Sequence, residues 1–283
     1  MSKIWFITGA SRGLGAEIAR AVLASGDRVA ATGRDAEALA AAYAEYGSRV
    51  LPIGLDVTDP AQAEHAVQLA VGRYGSIDVL VNNAGYGQLG AFEENDAGQA
   101  RRQFDTNVFG TFHVTRAVLP VMRRQRSGHI LNVSSIGGLL GFRGCALYCA
   151  TKFAIEGFSE SLALEVRPFG IHVTVVEPGF FRTDFLDGRS VSYGALQLDD
   201  YAKWSGQTRA DYEGYSHRQP GDPARLGRAL VRLAAEPEPP LHYLAGSDAL
   251  EMAQSALQRR SQEIERWRAL SLSTDIAAEP AAA

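Results

Sequence analysis

Short apolar runs recur along the chain, and after most of them apolar residues return every three or four positions over a longer stretch. The runs "KIWFIT" (3–8), "DRVAAT" (27–32) and "RVLPIGLDV" (49–57) precede helical patterns that end at Ala24, cover 36–46 and start at Pro60. "SIDVLVNN" (76–83) leads through a loop into a long helix over 97–125, and "GHILNVSS" (128–135) into a helix containing Tyr148. "IHVTVVEP" (171–178) leads into an irregular segment, and a helix over 222–235 precedes "LHYLAG" (241–246). Strands this apolar, joined by crossover helices, predict an α/β fold, a doubly wound seven-stranded parallel sheet with helices on both faces.

Two segments break the alternation. Residues 180–221 scatter aromatic residues, from Phe180 to Tyr215, among Gly, Ser and Asp. A stretch of that length and weak regularity predicts a substrate-binding insertion or lid. Residues 248–270 predict a closing helix, whose apolar face covers the sheet or meets a second subunit. No linker or repeat divides the chain, so one domain is expected over 1–283. It comprises a cofactor-binding and catalytic core (1–179), the insertion (180–221) and a closing part (222–283). The tail "IAAEPAAA" (276–283) is expected to fray.

Composition narrows the function. A chain of 283 residues, 46% of them hydrophobic, can bury a sizeable core without staples. A formal charge of −4 argues against nucleic acid or an anionic membrane as partner. The densest basic run, "RRQR" at Arg123–Arg126, follows an apolar helical segment, where cations suit the helix C-terminus. Two cysteines make no disulfide framework, and six scattered histidines lack ligand spacing, so no metal is expected. The chain enters an apolar strand at once, with no charged-then-apolar leader and no apolar run of roughly 18 residues. A soluble, cytoplasmic protein is the expectation.

"FITGASRGLG" places Gly9, Gly13 and Gly15 directly after the first strand and at the start of a helix. The backbone of Ser11, Arg12, Gly13 and Leu14 would then meet a pyrophosphate at a helix N-terminus. A carboxylate at the tip of the second strand would hold the ribose hydroxyls of NAD. Gly33 and Arg34 stand there instead, and Arg12 lies in the glycine loop. Two arginines suit the 2′-phosphate of NADP, which makes NADP(H) the expected cofactor and NAD(H) the lesser candidate. Asp35 is the competing ribose ligand, but it fits better as a helix N-cap. Asp56 in "GLDVTD" would accept the adenine amino proton while Val57 packs on the ring, unless Asp56 is only a turn residue. Asn83, Ala84 and Gly85 in "NNAG" let the chain pass close to the cofactor at the carboxyl edge of the sheet.

"CALYCATK" (145–152) is open to three readings: a cysteine pair, an acid–base pair, or plain helix. Tyr148 and Lys152, four apart, share one helix face. An ammonium about 5 Å from a phenol, at an effective dielectric near 20, favours phenolate by about 3 kcal/mol, roughly two pKa units. Such a tyrosine would exchange protons near neutral pH. Ser135 ends the fifth strand, where its hydroxyl would hold a carbonyl oxygen, and Asn107 would anchor a water relay to Lys152. Taken singly each has a bland alternative. A lone Tyr-x3-Lys mostly decorates a surface, a strand-end Ser mostly makes a turn, and the cysteines pack as small residues.

The joint pattern is more specific. "TGASRGLG", "LDVTD", "NNAG", Asn107, Ser135 thirteen positions before Tyr148, "YCATK" and "PGFFRT" run in one order from residue 8 to 183, about two-thirds of the chain. In this the sequence resembles the short-chain dehydrogenase/reductase family. The resemblance implies a Rossmann fold with Asn107, Ser135, Tyr148 and Lys152 as the catalytic set, Lys152 also binding the nicotinamide ribose. It further implies that Pro178, Gly179, Phe181 and Thr183 close over the nicotinamide. "VVEPGFFRTDF" and the aromatic insertion look like a subgroup near 17β-hydroxysteroid and retinol dehydrogenases. Where the family often carries "NxxPG", Val175 replaces the Asn and Glu177 precedes Pro178.

The expected activity is therefore an NADPH-dependent carbonyl (ketone or aldehyde) reductase, reversible as an alcohol dehydrogenase. Gln88, Gly137, Leu139, Leu140, Phe142 and Phe185 would wall a pocket for apolar or aromatic small-molecule carbonyls. An NAD-dependent alcohol dehydrogenase is the alternative, and a cofactor-sensing protein without turnover a remote one. Family habit implies a homo-oligomer, a dimer or tetramer.

Overall fold

The computed structural model describes residues 2–188 and 190–276; apart from Ile276, the tail expected to fray lies outside them. The strands are β1 (Ile4–Ile7), β2 (Arg28–Gly33), β3 (Val50–Gly54), β4 (Val79–Asn82), β5 (Gly87–Leu89), β6 (Gly128–Val133), β7 (Ile171–Pro178), β8 (Val191–Tyr193) and β9 (His242–Ala245). The helices are α1 (Gly13–Ala24), α2 (Ala36–Ala42), α3 (Pro60–Tyr74), α4 (Ala97–Phe104), α5 (Gly110–Gln125), α6 (Ala146–Val166), α7 (Ala202–Tyr215), α8 (Pro223–Leu233) and α9 (Ser247–Leu272).

Seven strands pair in parallel in the order β3-β2-β1-β4-β6-β7-β9. The expected doubly wound sheet is thus present. Successive side chains on a strand point to opposite faces, and here both faces are dry. Trp5, Ile7, Val29, Ala31, Val79 and Val81 enter one core with Ile18 and Val22 of α1 and Leu226 and Leu230 of α8. Phe6, Ala30 and Leu80 enter the other, against Val67 of α3, Val118 of α5 and Leu162 of α6. That is why these strands read as unbroken apolar runs rather than alternating ones. The strand order reverses between β1 and β4, and the crevice outside their carboxyl ends is where such sheets bind ligands.

Side-chain caps fix several helix starts. Asp35 accepts from Ala38 N, Asp59 from Ala61 N and Gln62 N, and Asp222 from Ala224 N and Arg225 N. Arg123 and Arg124 occupy the last turn of α5, where the dipole favours them.

Three expectations need correction. The helix over 97–125 is interrupted by a π-turn at Asp105–Phe109, with Asn107 inside it. Residues 180–221 are not irregular throughout. They contain β8, which pairs in parallel with β5 in a second small sheet, and the whole of α7. The helix expected over 36–46 ends at Ala42 and continues as a tighter 3₁₀ stretch. Helix α9 covers the body only at its start, through Ala249, Ala253 and Met252 against Ile136, Leu139, Leu140 and Leu244. Beyond that Leu257, Ile264, Trp267 and Leu270 are exposed. Among the described residues no helix is long and apolar enough to cross a membrane.

Candidate active site

One cleft of about 1260 Å³ runs along the carboxyl edge of the sheet, from Gly9 and Arg34 at one end to Tyr148, Phe185 and Tyr212 at the other. It is larger than the roughly 300–1,000 Å³ of ordinary small-molecule pockets, as a dinucleotide plus substrate requires.

At the first end, Thr8 organises the glycine loop. Its hydroxyl accepts from Asn83 N at 2.9 Å and Ala84 N at 3.0 Å, while Asn83 Nδ2 donates to Thr8 O and Gly9 O. The loop after β1 is thereby fastened to the end of β4. Gly9 turns with φ of +66°, and a Cβ there would meet Ala84 Cα at 3.0 Å. Gly15 does not line the cleft. It is buried, and a Cβ on it would fall 2.3 Å from Gly9 O and 2.5 Å from Asn83 Nδ2. Its task is to let α1 approach the loop, not to meet phosphate. Helix α1 starts without a side-chain cap, and Ser11, Arg12, Gly13 and Leu14 at that start line the cleft. A helix N-terminus in this position suits a pyrophosphate, so the residues present fit a dinucleotide.

Gly33, Arg34 and Asp35 line the same end. The Asp35 carboxylate caps α2, as the sequence suggested. Asp56 Oδ1 accepts from Thr58 N and Thr58 Oγ1, so it builds the turn after β3 while still lining the cleft. Val57 is held against Gly110, and its carbonyl meets His113 Nδ1 at 3.1 Å.

The middle of the cleft is set by Asn107. Its Oδ1 accepts from Tyr86 N at 3.1 Å, and its Nδ2 donates to Tyr86 O and to Thr151 Oγ1. Thr151 in turn donates to Tyr148 O at 2.7 Å. The Asn107 side chain therefore lies behind the cleft wall and ties the chain at Gly85–Tyr86 to helix α6. Tyr86 and Thr151 were missed in the sequence: Tyr86 lies just past "NNAG", and Thr151, though inside "YCATK", has no chemistry of its own there.

Ser135, Tyr148 and Lys152 come together at the second end. Ser135 Oγ accepts from Gly137 N at 3.0 Å, which fixes its rotamer. Lys152 is buried on α6, its Nζ donating to Val133 O at 2.9 Å and lying 5.7 Å from the centre of the Tyr148 ring. Burial lowers the Lys152 pKa to about 8, with Glu156 opposing the shift. Tyr148 departs from expectation. Burial drives its phenol well above the usual value, and the hydrogen bond with Ser135 pulls back only in part. The lowering expected from Lys152 is not found; desolvation sets the direction of the shift.

Around Tyr148 the wall is apolar and aromatic. Its ring lies 5.6 Å from that of Phe185, and Leu89, Leu186, Val191, Phe142 and Tyr212 complete the cluster. Gln88 is buried there, its amide donating to Asn95 Oδ1. Leu139 and Leu140 do not line the cleft but pack under α9. Gly137 lies behind Ser135 and Tyr148. Both cysteines are free and buried, and burial pushes the Cys145 thiol up to about 12, its Sγ meeting Tyr212 Oη at 3.1 Å. They pack as small residues.

Pro178 and Gly179 reach the cleft at the end of β7, where Asp248 Oδ2 accepts from Phe180 N at 2.7 Å. Phe181 and Thr183 follow along the same wall, Thr183 Oγ1 accepting from Phe185 N.

Comparison with known proteins agrees with this arrangement. The short chain dehydrogenase family model matches residues 3–192. The Botryotinia fuckeliana protein named Oxidoreductase BOA17 is 42% identical over 97% of this chain and 100% of its own. A 3-ketodihydrosphingosine reductase of Bacteroides thetaiotaomicron is 38% identical over 86% of this chain and 88% of its own. The crystal structure of a short-chain dehydrogenase from Streptomyces avermitilis superposes with a TM-score of 0.90 at 42% identity, covering 98% of this chain and 100% of that one. Solved structures of similar fold hold NAD in one case and NADP in another. A match that spans both ends of the cleft places the chain in the short-chain dehydrogenase family, as an oxidoreductase.

Proposed function

We propose that the chain is an NADPH-dependent carbonyl reductase, reversible as an alcohol dehydrogenase, acting on apolar or aromatic ketones and aldehydes. The observation that carries this reading is the cleft joining an arginine-flanked glycine loop to Tyr148 in an apolar wall. Arg12 and Arg34 flank the place where the second strand ends, and two guanidinium groups suit a 2′-phosphate. Asp35, the group that would favour NAD, already has its side chain on Ala38 N. The cluster of Phe142, Phe185, Leu186, Val191 and Tyr212 supports a substrate with little polarity near its carbonyl. A relative named as a 3-ketodihydrosphingosine reductase fits a ketone of that kind.

When bound, the nicotinamide supplies the hydride. Tyr148, whose phenol holds its proton at neutral pH, donates it to the carbonyl oxygen. Ser135 is held by Gly137 N with its hydroxyl beside Tyr148, where it orients the carbonyl. Lys152 binds the nicotinamide ribose and, as a cation, stabilises the phenolate left on Tyr148. Asn107 keeps α6 and the Tyr86 segment in register, so that these groups stay aimed into the cleft.

Titration of NADPH and NADH against wild type and Arg34→Ala tests the cofactor assignment. The wild type should bind NADPH more tightly, and loss of one charge-assisted phosphate contact should narrow that preference about tenfold or more. Equal wild-type affinities would sink the assignment.

A further inference from the structure

Below Lys152, away from the cleft, α6 buries a second ionisable group. Glu156 lies one turn on from Lys152 and is 5% exposed. No N–H or O–H reaches either of its carboxylate oxygens in good hydrogen-bond geometry. Its neighbour is another carboxylate. Glu177 of β7, 1% exposed, accepts from His242 Nδ1 of β9 at 2.9 Å, and the same His242 nitrogen lies 3.8 Å from Glu156 Oε2. His242 is 40% exposed and its Nε2 lies 3.7 Å from Glu160 Oε1, so the cluster opens to solvent through the imidazole.

One oxygen each of Glu156 and Glu177 and a nitrogen of His242 lie within 4.8 Å of one another; two buried carboxylates this close disfavour double ionisation, and a poorly solvated anion is costly to bury. A proton on Glu156, donated to Glu177, satisfies both groups at once. Among the described residues, Glu156 is faced by Lys152 of its own helix α6, Glu177 of β7, His242 of β9 and the Ser134 hydroxyl after β6, while Glu160 of α6 lies on the far side of His242. Where α9 covers this end it brings Ala249 and Ala253, and its Asp248 is taken up by Phe180 N and Ala249 N.

We propose that Glu156 and Glu177 share a single proton beneath Lys152 and form a positioning pair that opposes the loss of charge from the buried Lys152 ammonium. At neutral pH the Glu156 carboxylic acid donates to the Glu177 carboxylate. As pH rises that proton is lost to solvent, and the new Glu156 anion faces the Lys152 ammonium. The shift directions agree. Burial first, with Glu177 adding to it, raises Glu156 to about 8 while Ser134 and Lys152 lower it, and Glu156 opposes the lowering of Lys152. What the pair does for turnover rests on the carbonyl-reductase reading, so the test uses readouts that need no turnover.

Infrared difference spectra would follow the carbonyl stretch of a protonated carboxylic acid, and NMR of the lysine side chains would follow Lys152, in wild type, Glu156→Gln and Glu177→Gln. The wild type should show the acid band at pH 7, lost as pH rises. It should be absent in Glu156→Gln, and in Glu177→Gln it should be lost at lower pH. Lys152 should titrate about one pH unit lower in Glu156→Gln, a tenfold shift in its protonation equilibrium. If Glu156→Gln fails to fold, the wild-type band and its shift in Glu177→Gln decide. The proposal is overturned by a wild type without an acid band at pH 7, or by a Lys152 titration unmoved in Glu156→Gln. It is equally overturned if added Zn²⁺ binds stoichiometrically and removes the band, since the cluster would then be a cation site.

Discussion

Lys152 gives its hydrogen bond to the Val133 carbonyl and lies 5.7 Å from the centre of the Tyr148 ring. The two residues share a helix face, but the lysine is anchored to the end of β6 rather than to the phenol. The Lys152 ammonium is thus held in a fixed place beside the Tyr148 ring without a hydrogen bond to its hydroxyl. Desolvation acts on the two in opposite directions: it raises the phenol of the half-buried Tyr148 and lowers the buried Lys152 ammonium to about 8.

Gly15 is a packing residue, and Gly15→Ala should show it. The added methyl would fall 2.3 Å from Gly9 O, so the loop or α1 must move. We expect a loss of about 1–3 kcal/mol of stability together with weaker dinucleotide binding. Urea unfolding and nucleotide titration on the same variant check both, and unchanged stability would contradict the packing role.

Asn107→Ala would remove the acceptor of Tyr86 N and the donor to Tyr86 O and Thr151. Leaving the part-buried Tyr86 N–H without a partner costs up to about 1–3 kcal/mol. Thermal unfolding should register that loss, and turnover should fall as well because the Tyr86 segment is no longer tied to α6. A variant as stable as wild type would show that the Asn107 side chain does not hold the wall.

His129 is 6% exposed, bonded to Thr174 Oγ1 at 2.8 Å, and burial lowers its pKa to about 3. The unfolded chain, with an ordinary imidazole near 6.5, binds a proton between these values that the folded chain refuses. Stability should therefore fall as pH drops from about 6.5 towards about 3, by up to about 1.4 kcal/mol per pH unit from this group. Other acid-titrating groups add to the profile, so the check is the difference between wild type and His129→Gln in urea unfolding from pH 7 to 4. The gap between them should shrink as pH falls; a constant gap would contradict it.

The seven strands of the main sheet could be read from the sequence because both sheet faces are buried, which forces unbroken apolar runs such as "IWFI". The glycine loop, Ser135, Tyr148 and Lys152 were legible for a different reason: each sits at a strand end or on one helix face, where local spacing decides position. What was hidden depends on tertiary contact. The π-turn holds Asn107 against Tyr86 and Thr151, residues 21 and 44 positions away, and nothing in "DTNVFG" announces it. Helix α7 buries only Thr208 fully, so it offered no apolar stripe to find. Leu139 and Leu140 were expected in the pocket wall, yet α9 claims them as cover. Glu156 and Glu177 are brought together only by β7 packing on α6.

The proton-donor role of Tyr148 is tested most directly by Tyr148→Phe, assayed for NADPH oxidation with an apolar aromatic ketone while NADPH binding is measured in parallel. The substitution removes the acid and leaves the ring against Phe185. Turnover should fall by about 10²-fold or more with NADPH affinity kept. Ketone reduction at the wild-type rate in that variant would contradict the assignment of Tyr148 as the acid.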